Sequence, residues 1–250
     1  MHAIDVALVG GTGLYHFPGL EAVERHAVDT PYGPPSDALV IGQLGERRIA
    51  FLARHGESHT IPPHRVNYRA NIWALHHLGA RRVIGINAVG GIRADMGPRA
   101  LVLPDQIIDY THDRLTSYCD VAGAEVRHID FSEPYSARLR AELMGAAAAA
   151  GIPLLDGGCY GATQGPRLET RAEIARLRRD GCDLVGMTGM PEAALARELE
   201  LDYACIAVVA NWAAGCGEEA EISLPEIFAN LEAATAQVPP LITALPARAD

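Results

Sequence analysis

The 250-residue chain is 49% hydrophobic and 21% charged, enough apolar material to close one sizeable core and too much for a disordered chain. Its formal net charge of −10, from 31 acidic against 21 basic residues, excludes a long basic stripe for nucleic acid but allows a local pocket for one small anion. Five cysteines without a C-x-x-C pair suggest neither a disulfide framework nor a zinc knuckle, and the run Met1–Val9 has no basic flank and is too short to span a bilayer, so a cytoplasmic protein without nucleic-acid or membrane partners is expected.

In chain order, short β-branched runs predict strands at Asp5–Val9, Arg48–Ala53, Arg82–Asn87, Gln106–Tyr110, Gly158–Thr163, Asp183–Met187 and Tyr203–Ala210. Helical patterns lie between them: from about Val66 to His77, over the alanine-rich Ser136–Ala150, and after two capping boxes, Thr170 with Glu173 and Ser223 with Glu226. Thr111–Glu133 has little periodicity and reads as an exposed excursion suited to a lid or an oligomer contact. With no internal repeat and no long linker, residues 1–250 form one α/β domain on this reading, with ligands gathered at the carboxyl ends of the strands.

Those strand ends carry the chemistry. Gly10-Gly11-Thr12-Gly13-Leu14 lets the backbone approach an anion and offers the Thr12 hydroxyl, although a tight structural turn explains it about as well alone; His16 stands where a dinucleotide fingerprint needs its last glycine. Arg54-His55 places a guanidinium and an imidazole together, one for bidentate contact with phosphate and one as a charge-responsive donor. His55, Glu57 and His59 have H-x-E-x-H spacing, and Pro62-Pro63 follow, so the helix that would align two imidazoles on a metal is missing and no metal is expected.

Asn87-Ala88-Val89-Gly90-Gly91 could turn main-chain N–H groups toward a phosphate or a sugar. Glu169 lies just before the Thr170 cap, free to point into a cleft or merely to complement the helix dipole. Thr188 is near a helix N-terminus that opens with Pro191, and Met187 sits at a strand end where it could pack on a sugar or in the core. Asn211, ending the last strand, has an uncharged amide that both donates and accepts, which suits a heterocycle edge.

Taken together, Gly10–Leu14, Arg54–His59 with Val66–Trp73, Asn87–Gly91, Gly165–Glu169 and Gly186–Glu198 resemble the trimeric branch of the purine nucleoside phosphorylase and methylthioadenosine phosphorylase family, in family order along essentially the whole chain. The resemblance implies a mixed twisted central sheet flanked by helices, a homotrimer, and phosphorolysis of a nucleoside with inorganic phosphate as co-substrate and no metal or organic cofactor. It assigns phosphate to Thr12, Arg54, His55, Ala88 and Thr188, with His55 and Asn211 in catalytic roles. It gives the ribose to Met187 and the base to Glu169 and Asn211, with Trp212 and Ala213 beside them, and His128 to the neighbouring subunit's site.

Two departures bear on the substrate. Adenine-selective members have aspartates where this chain has Asn211 and Ala213; members that take a free 5'-hydroxyl have a histidine where alignment gives Leu224, with Phe228 one turn on. The combination is similar to the bacterial S-methyl-5'-thioinosine phosphorylases, which implies cleavage of that nucleoside to hypoxanthine and 5-methylthioribose 1-phosphate in purine salvage. Methylthioadenosine and general 6-oxopurine nucleosides are the alternative substrates; a nucleosidase or a silent nucleoside-binding protein would be the rival functions.

Overall fold

Val6–Gly10 (β1), Arg47–Ala53 (β4) and Arg82–Gly91 (β5) are rich in Val, Ile, Leu and Ala and buried over most of their length, the pattern of strands covered on both faces. The computed structural model describes residues 4–120, 123–217 and 223–247. Within them, β1 pairs in parallel with β4 and β5, and Asp202–Trp212 (β11) runs parallel to the whole of β5.

Glu21–His26 (β2) and Leu39–Leu44 (β3) extend the sheet beyond β4 by antiparallel pairing. On the other side, Leu184–Gly186 (β10) pairs antiparallel with the end of β5, followed by Cys159–Ala162 (β9) and Gln106–Asp109 (β7), both parallel. Leu101–Leu103 (β6) pairs with β11 and with the short Leu155–Asp156 (β8). The sheet is therefore mixed, as the resemblance implies.

Helices Tyr68–His77 (α1), Ala137–Ala150 (α2), Arg171–Arg179 (α3), Glu192–Glu198 (α4), Leu224–Thr235 (α5) and Val238–Thr243 (α6) connect and cover these strands. Ala74, Leu75 and Leu195 lie in one core cluster; Leu139, Leu143, Leu231 and Leu241 lie in a second. No helix among the described residues is long and apolar enough to cross a membrane.

All seven expected strands form; β2, β3, β6 and β8 were not expected. The β2 sequence EAVERH is exposed along almost its whole length, so no buried face marks it, and β6 and β8 have only 3 and 2 residues. Thr170 forms its capping box with Glu173. The box expected at Ser223 does not form: Ser223 caps α5 without a side-chain bond, and Pro225 stands in the first turn. The expected helix near Val66 begins at Tyr68 instead, after a 3-10 turn at Pro63–Arg65, with Asn67 as its cap.

The placement of the site follows from one feature of β5. Its first half pairs with β1 as far as Gly10–Ile86, while Gly90 and Gly91 pair with β10. Between these two partnerships β5 presents Asn87, Ala88 and Val89 at a gap in the sheet, where β1 and β10 both end. Such a point of changed strand order is where α/β sheets open a crevice.

Candidate active site

A cavity of about 310 Å³ opens at that gap. Gly11 and Thr12 line it from the end of β1, Arg54, His55 and His59 from the end of β4, and Ala88–Gly90 from β5. Gly186–Thr188 follow β10, Glu169 precedes α3, and Asn211 and Ala213 come from the end of β11. Residues from six separate places in the sequence thus meet in one cleft.

The end of the cavity at Gly11 and Arg54 has little spare room. A Cβ on Gly11 would lie 2.9 Å from the Ile86 carbonyl and 3.0 Å from Arg54 Nη1, so a side chain there would block the approach of the backbone. Arg54 is fully buried, and its Nε and Nη2 donate to the two oxygens of Glu192 at 2.8 and 2.9 Å. The planar fork expected to grip a phosphate is therefore spent on a protein carboxylate, which an isolated buried guanidinium would need. Nη2 also donates to Asn87 Oδ1 at 2.7 Å and Nη1 to the Ile86 carbonyl at 3.3 Å.

Burial alone would depress the guanidinium's pKa, but Glu192 more than reverses this and keeps Arg54 charged. Asn87 Nδ2 is buried and has no hydrogen-bond partner among the described residues.

His55 is 5% exposed. Its Nδ1 lies 2.8 Å from the Ile61 carbonyl, and since a carbonyl can only accept, Nδ1 carries the hydrogen and Nε2 holds a lone pair in the neutral ring. Burial, and then the charge of Arg54, push the imidazole's pKa down to about 4. The free Nε2 of His55 is thus an acceptor at neutral pH, where the sequence suggested a charge-responsive donor. Thr188 is buried, two residues beyond the end of β10, and lines the same cavity.

At the other end, Glu169 Oε1 accepts from Thr163 Oγ1 at 2.6 Å, which holds the carboxylate toward the cleft and off the helix it precedes. Asn211 follows a bulge: Val209 pairs with Val89 and Asn211 with Gly90, leaving Ala210 as the extra residue. Bulges re-aim side chains at the ends of strands. Asn211 Nδ2 donates to the Trp212 carbonyl at 2.6 Å, which orients the amide and leaves one N–H and Oδ1 without another partner among the described residues. Met187 lies over Gly165, where a Cβ would come within 2.4 Å of its sulfur.

Leu224, Ile227, Phe228 and Leu231 of α5 close the remaining wall; Leu224 and Phe228 are 63% and 51% exposed. Asn230 anchors this helix by donating to the bulge carbonyl of Ala210 at 2.9 Å and accepting from Arg99 at 2.8 Å.

Two expected site residues are not in the cavity. Trp212 alternates to the other side of β11 from Asn211 and packs on Gly97 and Gly217, whose Cβ atoms would approach its ring to 2.9 and 2.7 Å; its expected contact with substrate is corrected accordingly. His128 is exposed on the irregular segment after β7, outside this chain's own cavity.

Sequence reasoning gave no role to Glu192, Asn87, Thr163 or Ile227. Glu192 was legible only as an acidic residue beside Pro191 in a family segment, since nothing in a linear sequence tells a buried carboxylate from an exposed one.

With this geometry in place, the family model for the phosphorylase superfamily matches residues 5–239. The chain belongs to the phosphorylase superfamily. Within that superfamily it is 59% identical over 241 residues to a probable S-methyl-5'-thioinosine phosphorylase of Xanthomonas campestris, covering 96% of both chains. It is 48% identical to a 6-oxopurine nucleoside phosphorylase of Pyrococcus furiosus, covering 84% of this chain and 80% of that one. In structure it is similar to the methylthioadenosine phosphorylase of Schistosoma mansoni in complex with adenine, with a TM-score of 0.91 and 32% identity over 96% of this chain and 90% of that one. The superfamily's phosphorylases and this chain share the fold that brings these strand ends together.

Proposed function

We propose that this enzyme, a pentosyltransferase of the purine nucleoside phosphorylase type, cleaves S-methyl-5'-thioinosine with phosphate to hypoxanthine and 5-methylthioribose 1-phosphate. The observation that carries the substrate is the pairing of Glu169 and Asn211 with the apolar wall of Leu224 and Phe228 in one cavity. A 6-oxopurine offers an N1–H to the Glu169 carboxylate and an O6 to the free Asn211 N–H; once the departing base takes a proton from solvent at N7, Oδ1 accepts from that N7–H. A 5'-methylthio group would cover the apolar α5 wall, where the side chains of Leu224 and Phe228 offer a hydroxyl neither donor nor acceptor.

Phosphate lies between Thr12, Ala88, Thr188 and His55 in this reading, and Arg54 contributes through its charge and through Nη1. Neutral His55 accepts a P–OH hydrogen at Nε2, which leaves the other phosphate oxygens free to approach C1'. As the glycosidic bond stretches, positive charge grows on the ribose and negative charge on the base. The phosphate anion stabilises the first and Asn211 the second, so both act where charge develops in the transition state. Met187 packs on the ribose.

The reading extends to a homotrimer in the cytoplasm, with His128 contributed to a neighbouring site and with no metal or organic cofactor. Leu115 and Val126, 55% and 71% exposed on the same segment after β7 as His128, suit a subunit contact. Side-by-side assays of methylthioinosine, methylthioadenosine, inosine and adenosine, with and without phosphate, test the proposal. Fastest turnover is expected with methylthioinosine and only with phosphate; phosphate-independent cleavage would make the enzyme a nucleosidase.

A further inference from the structure

Arg114 lies in the segment after β7, which sequence reasoning assigned to a lid or an oligomer contact. It does not line the cavity, yet its guanidinium touches the backbone of two loops that do. Nη1 donates to the carbonyls of Met187 and Met190 at 2.8 and 2.6 Å, on either side of Thr188. Nη2 donates to the carbonyls of Thr163 and Gln164 at 3.2 and 2.9 Å, and Nε to Gln164 Oε1 at 3.1 Å. Thr163 is the residue whose hydroxyl holds Glu169.

A third element joins the same group. Nη1 reaches Tyr68 Oη at 3.3 Å, and the guanidinium lies over the Tyr68 ring, 5.5 Å from its centroid. Tyr68 in turn donates to the carbonyl of Pro63, which lines the cavity. The segment carrying Arg114 is itself tied down, since the Tyr118 N–H donates to Glu198 and the Tyr118 hydroxyl to the Arg69 carbonyl.

We infer that Arg114 is a positioning residue that sets the distance between the Glu169 loop and the Thr188 loop, and so the distance between the base and the phosphate. A guanidinium offers five N–H groups in one rigid plane, and here all of them point at acceptors on the two loops and Tyr68. Loop carbonyls gripped from one plane cannot drift independently. A lysine has the charge but only a compact point of donors on a flexible stem, and cannot hold both loops at once. Bringing nucleophile and leaving group into line depends on such spacing, and a displacement of about 1 Å costs about 10²-fold in rate.

This inference rests on the proposed phosphorolysis, and its test separates the two. In the full chain, Arg114→Lys and Arg114→Ala are compared with wild type by kinetics with phosphate and methylthioinosine each varied, and by hydrogen exchange. Both variants should lose about 10²-fold in kcat/KM, with the apparent KM values for phosphate and nucleoside rising together. Peptides covering 163–169 and 187–190 should exchange faster while β1 and β4 keep wild-type protection, and added guanidinium ion should partly restore Arg114→Ala. Wild-type kinetics in Arg114→Lys would overturn the inference, because charge alone would then suffice. Faster exchange across the whole sheet would also overturn it, as the signature of a general stability role. If Arg114→Ala fails to fold, Arg114→Lys carries the decision. A wild type without phosphate-dependent cleavage would refute the functional reading, while the exchange measurement would still report on the two loops.

Discussion

Replacing Asn211 with aspartate tests the base assignment where the structure makes the outcome quantitative. The amide donates to the Trp212 carbonyl at 2.6 Å; a carboxylate would turn that contact into two oxygens facing each other, and would add a second anion to a cavity that already holds Glu169. For methylthioinosine the variant loses the donor to O6, and leaving such a group unpaired costs about 1–3 kcal/mol, or roughly 5- to 150-fold in kcat/KM. For methylthioadenosine the new acceptor suits the amino group, but the carboxylate must first swing away from the Trp212 carbonyl, at a cost of similar size. The expected result is a large fall for methylthioinosine and near-constant activity for methylthioadenosine, a partial switch made by loss more than by gain.

Adding Glu169→Ser should carry the switch further, with non-additive effects because both residues face one base in the proposed binding mode. Specificity constants for both nucleosides on the wild type and the two variants decide it. Unchanged methylthioinosine activity in Asn211→Asp, or a wild type that already prefers methylthioadenosine, would refute the base assignment.

Three further outcomes are expected. Glu192→Leu strands the buried Arg54 cation and removes the acceptor of Tyr203, so stability should fall by about 3–5 kcal/mol and calorimetry should show a melting temperature lower by roughly 6–20 °C; an unchanged melting temperature would mean that Arg54 finds another partner. Leu224→His should improve inosine relative to methylthioinosine, by no more than about tenfold because a wall 63% exposed already lets water reach a 5'-hydroxyl; a fixed ratio of specificity constants would move α5 away from the sugar. The third concerns pH: His55 titrates near 6.5 when unfolded and about 4 when folded, so between those values the unfolded chain binds the extra proton and stability falls as pH drops. Full protonation of both states removes on the order of 3 kcal/mol, and urea unfolding of His55→Asn, which keeps a donor for Ile61, should show a flatter dependence from about pH 6.5 to 4.

The fold was legible because its central strands are apolar over four or more consecutive residues and end in Gly, Asn or Arg-His turns. A strand buried on both faces leaves such a run whatever surrounds it. The edge strand β2 was not legible, since its side chains are almost all exposed and its partner alone makes it a strand. Much of the candidate site was legible for a related reason: Thr12, Arg54, His55, Ala88, Thr188, Glu169, Met187, Asn211, Leu224 and Phe228 sit at or near element ends and line one cavity.

By itself, then, the sequence determined which residues stand at the strand ends and which of them carry charged, hydroxyl, amide or apolar groups. Tertiary structure alone decided how those groups are spent. Arg54 could be read as a phosphate fork until Glu192, distant by 138 residues, took both of its parallel donors. His55 could be read as a donor until the Ile61 carbonyl and the neighbouring charge of Arg54 made its free nitrogen an acceptor. Trp212 was set apart from Asn211 by strand alternation and by two glycines that admit its ring. Arg114, in a stretch without periodicity, turned out to join the loops of Glu169 and Thr188. A side chain's type is written in the chain, but its partner, its burial and its remaining hydrogen-bonding capacity depend on segments that meet only when β5 changes neighbours and opens the sheet.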